Sequence, residues 1–201
     1  DMIAATGREL ETIFITHYHP DHHLGLEVFV QRFPGVKVLT HAKIQPLMEK
    51  SAAGMLKGLS SGAPAGVFAE NAIIPEALDG SVIMLEGERL EVLDPMHGDT
   101  DLISAVHIPS LDTLVAADFV YADTFAWTAE NTTPDRVDLW LASLTKLETL
   151  GASTVVPGHR TEATVNDASV IAKARTYLET WKAALESAGS AEDLKQTMLD
   201  G

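Results

Sequence analysis

THYHPDHH, residues 16–23, follows directly on the apolar run TIFI of residues 12–15. The fold and the candidate site are predicted from this stretch. An apolar run of this length predicts a short buried strand that ends where the polar cluster begins. His17 and His19 are two residues apart, so an extended backbone turns both imidazoles to the same side. The strand therefore delivers two histidines to one point in space.

Asp21 and His22 extend this cluster into the next element. They lie where the chain is expected to turn into a helix, from which both side chains face back toward the histidines of the strand. The chain has no cysteine, which excludes disulfides and thiolate ligands, so metal ligands must be His, Asp or Glu. Such ligands favour zinc, iron or manganese. The cluster predicts a metal site with room for two ions.

The bulk composition indicates one globular domain over residues 1–201. Hydrophobic residues make up 46% and charged residues 21% of the chain, which is ordinary for such a domain. The net charge of -15 disfavours nucleic acid as a partner, because phosphate backbones need clustered Lys and Arg. No apolar run approaches the roughly 20 residues of a membrane span. We therefore expect neither nucleic acid nor membrane as a partner.

Hydrophobic periodicity and turn residues predict an α/β (α+β) protein. Strands are predicted at Thr12–Thr16, Val36–Thr40, Ser81–Leu85, Arg89–Leu93, Leu102–Ile108, Thr113–Ala117 and Ser153–Val156. Helices are predicted at His22–Phe33, at Lys43–Lys50, between the cap Thr133 and Gly151, and at Ala168–Ala188, with a helix tail over Asp1–Leu10 and a last helix capped by Ser190. The Gly-, Ala-, Ser- and Pro-rich segment Ser51–Gly80 predicts a long loop with a short helix.

Three further candidate ligands each follow a predicted strand. They are His97, Asp118 and His159, the last of them in the sequence Pro157-Gly158-His159. The ends of strands are where α/β folds collect binding residues. These positions therefore belong with the cluster at residues 16–23 as candidates for one site.

The order His-x-His-x-Asp-His, then His97, Asp118 and His159, resembles that of the metallo-β-lactamase superfamily over residues 12–161. The resemblance implies an αββα sandwich and a dinuclear centre, with Zn(II) as the first expectation and Fe or Mn as alternatives. It implies that Asp118 bridges the two ions together with a water or hydroxide. The remaining ligands implied are His17, His19 and His97 for one metal and Asp21, His22 and His159 for the other.

The charge of the implied site supports this division. Asp21, Asp118 and a hydroxide place three negative charges against the four positive charges of two dications. The resemblance implies hydrolysis of an ester, lactone, thioester or amide bond, β-lactams included, by metal-bound hydroxide. An Asp at the bridging position makes the ligand set similar to that of glyoxalase II enzymes and lactonases. The expected catalytic residues are Asp21, Asp118 and Tyr121, the last as an oxyanion donor.

Three histidines have competing structural explanations. His23 follows a ligand position in the first helical turn and is expected to point away from the metals. His41 opens a helix and is expected at the surface or as a cap. His107 lies in the middle of a predicted strand and is expected to be a hydrogen-bonded sheet residue.

Other polar and aromatic residues near the ligands leave two explanations open. Thr16, Asp94 and Asp99 either orient ligand imidazoles or serve as cap and turn residues. Tyr121 and Trp127 either reach the substrate or pack in the core.

The sequence departs from the family pattern before the motif strand. That strand begins at Thr12, whereas the first half of the family's fold supplies several strands ahead of it. We therefore expect the N-terminal strands to be missing, together with the loop that walls the substrate cleft. The segment Met55–Phe68 is the candidate for the remaining wall. An uncovered sheet predicts self-association into a homo-oligomer.

Two other functions stay open. One is a mononuclear iron oxidoreductase similar to persulfide dioxygenases, which iron content and oxygen consumption would indicate. The other is a metal-binding fragment without catalysis, which would stay inert toward a panel of esters, lactones and β-lactams.

Overall fold

The computed structural model describes residues 2–64 and 66–200. Contacts between residues divide the chain into two compact units, Asp1–Ser81 and Val82–Gly201. The first unit contains a three-stranded sheet and the second a five-stranded sheet, each with helices. The predicted α/β class is confirmed. The assignment of residues 1–201 to one domain stays a prediction.

The first unit is built on three parallel strands. They are β1 Thr12–Ile15, β2 Lys37–Thr40 and β3 Glu76–Ala77, in the order β1-β2-β3. Parallel neighbours require crossover connections, which the helices between them supply. The helices are α1 Met2–Ala5, α2 Pro20–His23, α3 Leu26–Arg32 and α4 Gln45–Ser60.

The helix predicted over His22–Phe33 is two helices. Pro20 occupies the first turn of α2 and begins it earlier than predicted, because its fixed φ suits that position. The backbone then turns at Leu24 and Gly25 before α3 begins. At the N-terminus the predicted helix tail ends at Ala5, since the chain leaves the helix through Gly7 with a φ of 67°.

The prediction of a loop from Ser51 is wrong for the first ten residues of that segment. They continue α4 to Ser60. Met48, Ala52 and Leu56 recur at helical spacing and are buried. Ala52 and Leu56 pack against Leu24. Tertiary burial of this face therefore outweighs the low helix propensity of the glycines and serines in the segment.

The second unit contains a mixed five-stranded sheet. Its strands are β4 Val82–Leu85, β5 Glu88–Val92, β6 Val106–Ile108, β7 Thr113–Ala122 and β8 Thr154–Arg160, in that order across the sheet. The pairs β4–β5, β5–β6 and β6–β7 are antiparallel, and β8 runs parallel to β7. The helices are α5 Pro134–Glu148, α6 Ser169–Ser187 and α7 Ala191–Asp200, and a 3-10 turn spans Pro109–Leu111.

Strands β7 and β8 are longer than predicted, so Asp118 and His159 lie inside strands rather than after them. The pairing of β7 with β8 is irregular, with register shifts between Val115 and Ala117 and between Ala117 and Tyr121. Ala117 has a φ of 48°, which is uncommon for a residue with a side chain. These bulges interrupt the ladder around Asp118 and re-aim its side chain.

Strand β6 is shorter than predicted, because it begins at Val106 rather than Leu102. Ile103 instead forms an isolated bridge with Met96, just before His97.

The core of the second unit lies between the sheet and helices α5 and α6. Trp140, Leu144 and Leu178 of these helices pack in one buried cluster with Leu114 and Phe119 of β7. Trp140 Nε1 donates to the carbonyl oxygen of Phe119 at 3.0 Å. Because Phe119 lies in the irregular part of β7, this bond satisfies a carbonyl where the ladder is disturbed. No helix in the described part of the chain is long and apolar enough to cross a membrane.

Candidate metal centre

The first unit brings His17 and His19 together at the end of β1. One possible ligand atom of each lies within 4.8 Å of the other, and their ring centroids are 4.8 Å apart. His17 is fully buried, and Thr16 Oγ1 lies 3.0 Å from His17 Nδ1. The predicted convergence of these two imidazoles is present, and Thr16 is in place to orient one of them.

Asp21 and His22 lie in α2, close to the same histidines. His22 Nε2 is 3.3 Å from Asp21 Oδ2, and the ring centroids of His22 and His17 are 4.1 Å apart. The Asp21 side chain is 54% exposed and that of His22 is 19% exposed. The four ligand positions of the opening motif therefore form one local group.

His23 is buried and has a backbone partner. Its Nε2 lies 3.1 Å from the carbonyl oxygen of Tyr18. Burial lowers the pKa of His23, against a smaller raising effect of the Tyr18 carbonyl. A neutral imidazole bonded to the backbone of its own turn fits the predicted structural role.

His41 and His107 also have structural partners. His41 is buried, not at the surface as one alternative predicted, and its Nδ1 accepts the backbone N–H of Lys43 at 3.1 Å. His107 pairs with Glu91 across β5 and β6, with its Nδ1 3.6 Å from Glu91 Oε2.

Asp118 is the centre of the polar group in the second unit. It is 1% exposed, and its Oδ2 accepts the Tyr121 hydroxyl at 2.9 Å and lies 3.2 Å from His159 Nε2. The rings of Tyr121 and His159 stack with centroids 4.9 Å apart and planes at 9°. The structure thus joins two of the predicted ligands, Asp118 and His159, through the predicted catalytic Tyr121.

Asp99 adds a second buried carboxylate to this group. It is fully buried, and its Oδ2 lies 2.8 Å from the Tyr121 hydroxyl. Burial, then the charges of Asp118 and Asp99, raise the pKa of Tyr121 far above its ordinary value, so the hydroxyl stays protonated. A hydroxyl has one proton to donate. Buried carboxylates this close together favour a cation beside them, so the donor set fits a divalent metal.

Gly158 allows β8 to pass close to Asp118. A β-carbon at this position would lie 1.9 Å from Asp118 Oδ1 and 2.7 Å from the carbonyl carbon of Ala117. Only glycine fits against the bulge, which gives the sequence Pro157-Gly158-His159 a physical reason.

His97 is held by side chains that follow it in the sequence. Its Nε2 lies 2.7 Å from Asn131 Oδ1, and its Nδ1 lies 3.4 Å from Asp101 Oδ1. The sequence gives no sign of Asn131, which lies in the segment before α5. Among the described residues, His97 is in no group of three or more possible ligands within 4.8 Å of one another.

Two further candidates from the sequence keep open roles. Trp127 is 54% exposed, so the alternative of core packing was wrong, and substrate contact stays a prediction. The segment Met55–Phe68 begins in α4, and its role as a cleft wall stays a prediction.

The sequence profile of the metallo-beta-lactamase superfamily matches residues 2–159. No curated protein sequence matches the chain.

Solved structures share the fold. A metallo-beta-lactamase from Pontibacter korlensis aligns with a TM-score of 0.61 and 23% identity, covering 87% of this chain and 71% of that one. A metallo-beta-lactamase family protein from Thermus thermophilus gives 0.61 and 23%, covering 94% and 68%. A beta-lactamase domain protein from Burkholderia ambifaria gives 0.67 and 18%, covering 96% and 65%. At these identities the likeness concerns the fold alone.

Proposed function

Because the chain belongs to the metallo-beta-lactamase superfamily, we propose that it hydrolyses an ester, lactone, thioester or amide bond, β-lactams included, at a dinuclear metal site. Membership and the candidate ligands support a metal-dependent hydrolase in general. The class of bond and the number of metals are the proposal.

The surroundings of Asp118 carry this proposal. A carboxylate that is 1% exposed, 3.2 Å from His159 and close to the equally buried Asp99 is costly to maintain without a cation. An oxygen pair of this kind suits a bridging ligand, because each oxygen can face one ion. The bulges of β7 and the glycine at position 158 hold this side chain in place.

The ligand assignment follows the order of the motifs along the sequence. Asp118 is assigned to both ions. The other assignments are His17, His19 and His97 to one ion and Asp21, His22 and His159 to the second. Zn(II) is the first choice, with Fe or Mn as alternatives for such donors.

When bound, the two ions supply an activated water as nucleophile and polarise the carbonyl of the substrate. The chain's own residues position that chemistry. Tyr121 donates to Asp118 and stacks on His159, so it fixes the orientation of both. To donate to a substrate oxyanion, as the sequence predicts, its hydroxyl must turn away from Asp99 and Asp118. We expect a small-molecule substrate.

Metal content and a substrate panel test the proposal. Protein purified without chelators should contain close to two divalent ions per chain by elemental analysis and should cleave a member of a panel of esters, lactones, thioesters and β-lactams. A folded protein with no metal would overturn the proposal. One iron per chain with oxygen consumption would replace it with the oxidoreductase alternative.

The variant Asp118→Ala tests the bridging role. It should lower metal content by about one ion and abolish most of the hydrolysis. The control Asp138→Ala removes a half-exposed carboxylate of α5 that pairs with Lys182, and it should change neither. Equal metal content and rate in the Asp118 variant and the native protein would show that Asp118 does not bridge.

A further inference from the structure

The last part of the β7–β8 ladder is short and follows an irregularity. After the second register shift, pairing resumes with Tyr121 opposite His159 and Ala122 opposite Arg160. Strand β7 ends there, and the next residue, Asp123, has a φ of 55°. A bulge disrupts the ladder on one side of these pairs, and the strands end on the other. The pairing of His159 with Tyr121 therefore depends on further contacts to keep its register.

A polar cluster follows directly on these pairs, and we call it the Thr164 cluster. Its members are Asp123, Thr161, Thr164 and Lys173. Thr164 is buried, and its hydroxyl donates to Asp123 Oδ2 at 2.8 Å. A hydroxyl has one proton, so Thr161 Oγ1, 3.1 Å away, is the donor in its contact with Thr164 Oγ1. The backbone N–H of Thr161 also donates to that oxygen at 3.2 Å. The Thr164 hydroxyl thus joins the residue after β7 to the residue after β8.

Helix α6 attaches this cluster to the rest of the second unit. Lys173 Nζ donates to Asp123 Oδ1 at 2.9 Å. The bonds from Lys173 and Thr164 hold the pKa of the Asp123 carboxyl below its ordinary value, so the carboxylate is ionised at neutral pH. Each of its two oxygens has its own donor. The position of Asp123 is therefore set by α6 as well as by the turn after β8.

We propose that Asp123 and Thr164 are positioning residues that hold the end of β8 in register with β7, so that His159 stays against Tyr121 and Asp118. The rings of His159 and Tyr121 stack with centroids 4.9 Å apart, and His159 Nε2 lies 3.2 Å from Asp118 Oδ2. A slip of one residue would turn the His159 side chain to the opposite face of the sheet. For its consequence on metal binding, the inference rests on the proposed function.

The backbone at position 123 allows the side chain to be removed without strain. Aspartate and asparagine tolerate a positive φ better than most residues, and glycine adopts it freely. Asp123→Gly therefore deletes the carboxylate while the chain can still leave β7 in the same direction. Asp123→Asn keeps an acceptor for the Thr164 hydroxyl and loses the charge that faces Lys173.

Aromatic proton NMR of the metal-free protein measures the position of His159. The native protein should show NOE cross-peaks between the rings of His159 and Tyr121, and the variant His159→Gln assigns the histidine signals. Asp123→Gly and Thr164→Val should lose these cross-peaks, while the amide signals of α5 show that each protein is folded. If Thr164→Val does not fold, Asp123→Gly decides, because the Asp123 side chain is 38% exposed. Native cross-peaks in either folded variant would overturn the inference.

Conservative variants and a matched control separate positioning from a general loss of stability. Thr164→Ser and Asp123→Asn should restore the cross-peaks, because each keeps the bond between the two side chains. The control Asp138→Asn weakens another bond between an aspartate and a lysine of α6, Lys182, and should leave the cross-peaks unchanged. An equal loss in the control would contradict a specific role of the Thr164 cluster.

Zinc titration measures the consequence for the metal. Asp123→Gly and Thr164→Val should weaken zinc binding by roughly 10- to 100-fold, and the two conservative variants should recover it. Native zinc affinity together with lost cross-peaks would overturn the metal half of the inference. A native protein that binds no zinc would overturn the proposed function, whereas the spectrum of the metal-free protein would still decide whether the cluster holds His159 in place.

Discussion

Gly158 and Asp118 lie so close that a β-carbon on residue 158 would be 1.9 Å from Asp118 Oδ1. The same β-carbon would be 2.9 Å from the carbonyl oxygen of Ala117, which the bulge of β7 presents to β8. Because residue 158 has no β-carbon, β8 can pass this close to Asp118 without displacing its carboxylate.

The variant Gly158→Ala should displace Asp118 or push β8 away from the bulge. We expect a loss of about 1–3 kcal/mol in the free energy of unfolding, as in other overpacked sites, together with weaker metal binding. Chemical denaturation and zinc titration measure the two effects.

Gly54→Ala is the matched control. Gly54 lies inside α4, and its added β-carbon meets nothing within 4 Å. Alanine there should stabilise the protein by up to about 1 kcal/mol through helix propensity and leave zinc affinity unchanged. If both variants behave alike, the contact with Asp118 has no special role.

Tyr121→Phe removes the hydroxyl that two buried carboxylates share. Without metal, the variant should lose about 1–3 kcal/mol of unfolding free energy, because Asp118 and Asp99 lose a donor. With zinc bound, the loss should be smaller, since the cation also neutralises Asp118. Denaturation curves with and without zinc decide this, and an equal loss in both would mean that no metal reaches Asp118.

His22→Gln and His23→Gln distinguish two adjacent histidines. The first should lower metal content by one ion because it removes a proposed ligand. The second should leave the metal content unchanged, since His23 bonds to the carbonyl of Tyr18. Elemental analysis of both proteins is the measurement, and metal loss in the His23 variant would assign it a direct role.

Glu27 links α3 to the segment at residues 70–71. Its carboxylate accepts Asn71 Nδ2 and the backbone N–H of Glu70, both at 2.7 Å, and these bonds lower its pKa from the ordinary 4.5. A lowered carboxyl pKa means that the stabilisation is fully present above pH 4.5 and is lost as the pH falls through the lowered value.

Proteolysis around residues 61–75 should therefore increase below pH 4.5 in the native protein. In Glu27→Gln the susceptibility should be raised already at neutral pH and change less with acid. An acid-stable protease measures this, and parallel pH profiles for the two proteins would rule out the link.

Local pattern was enough to predict several elements. The apolar run ending at the buried Ile15 predicts β1, and the buried apolar face around Trp140 predicts α5. The family membership expected from the order of the histidines and aspartates is confirmed by the profile match over residues 2–159. Their joint ligation of metal stays a prediction.

The features that sequence pattern missed depend on distant contacts. The bulges of β7 depend on the positive φ of Ala117, which the flanking apolar residues do not indicate. The continuation of α4 depends on burial against Leu24. The bond between Asn131 and His97 joins residues 34 apart in sequence, and no local spacing encodes such a pair.

Strand β1 lies at the edge of its sheet among the described strands. The backbone N–H of Lys37 donates to the carbonyl oxygen of Glu11. In a parallel ladder the backbone N–H of Ile13 therefore points toward β2, while those of Thr12 and Phe14 point away from the sheet. Amide hydrogen exchange along β1 should therefore alternate residue by residue. If a second copy of the chain adds to this edge, as the expected self-association implies, protection at Phe14 will rise with protein concentration. Amide exchange in the strand that leads to His17 would then measure the association of two chains.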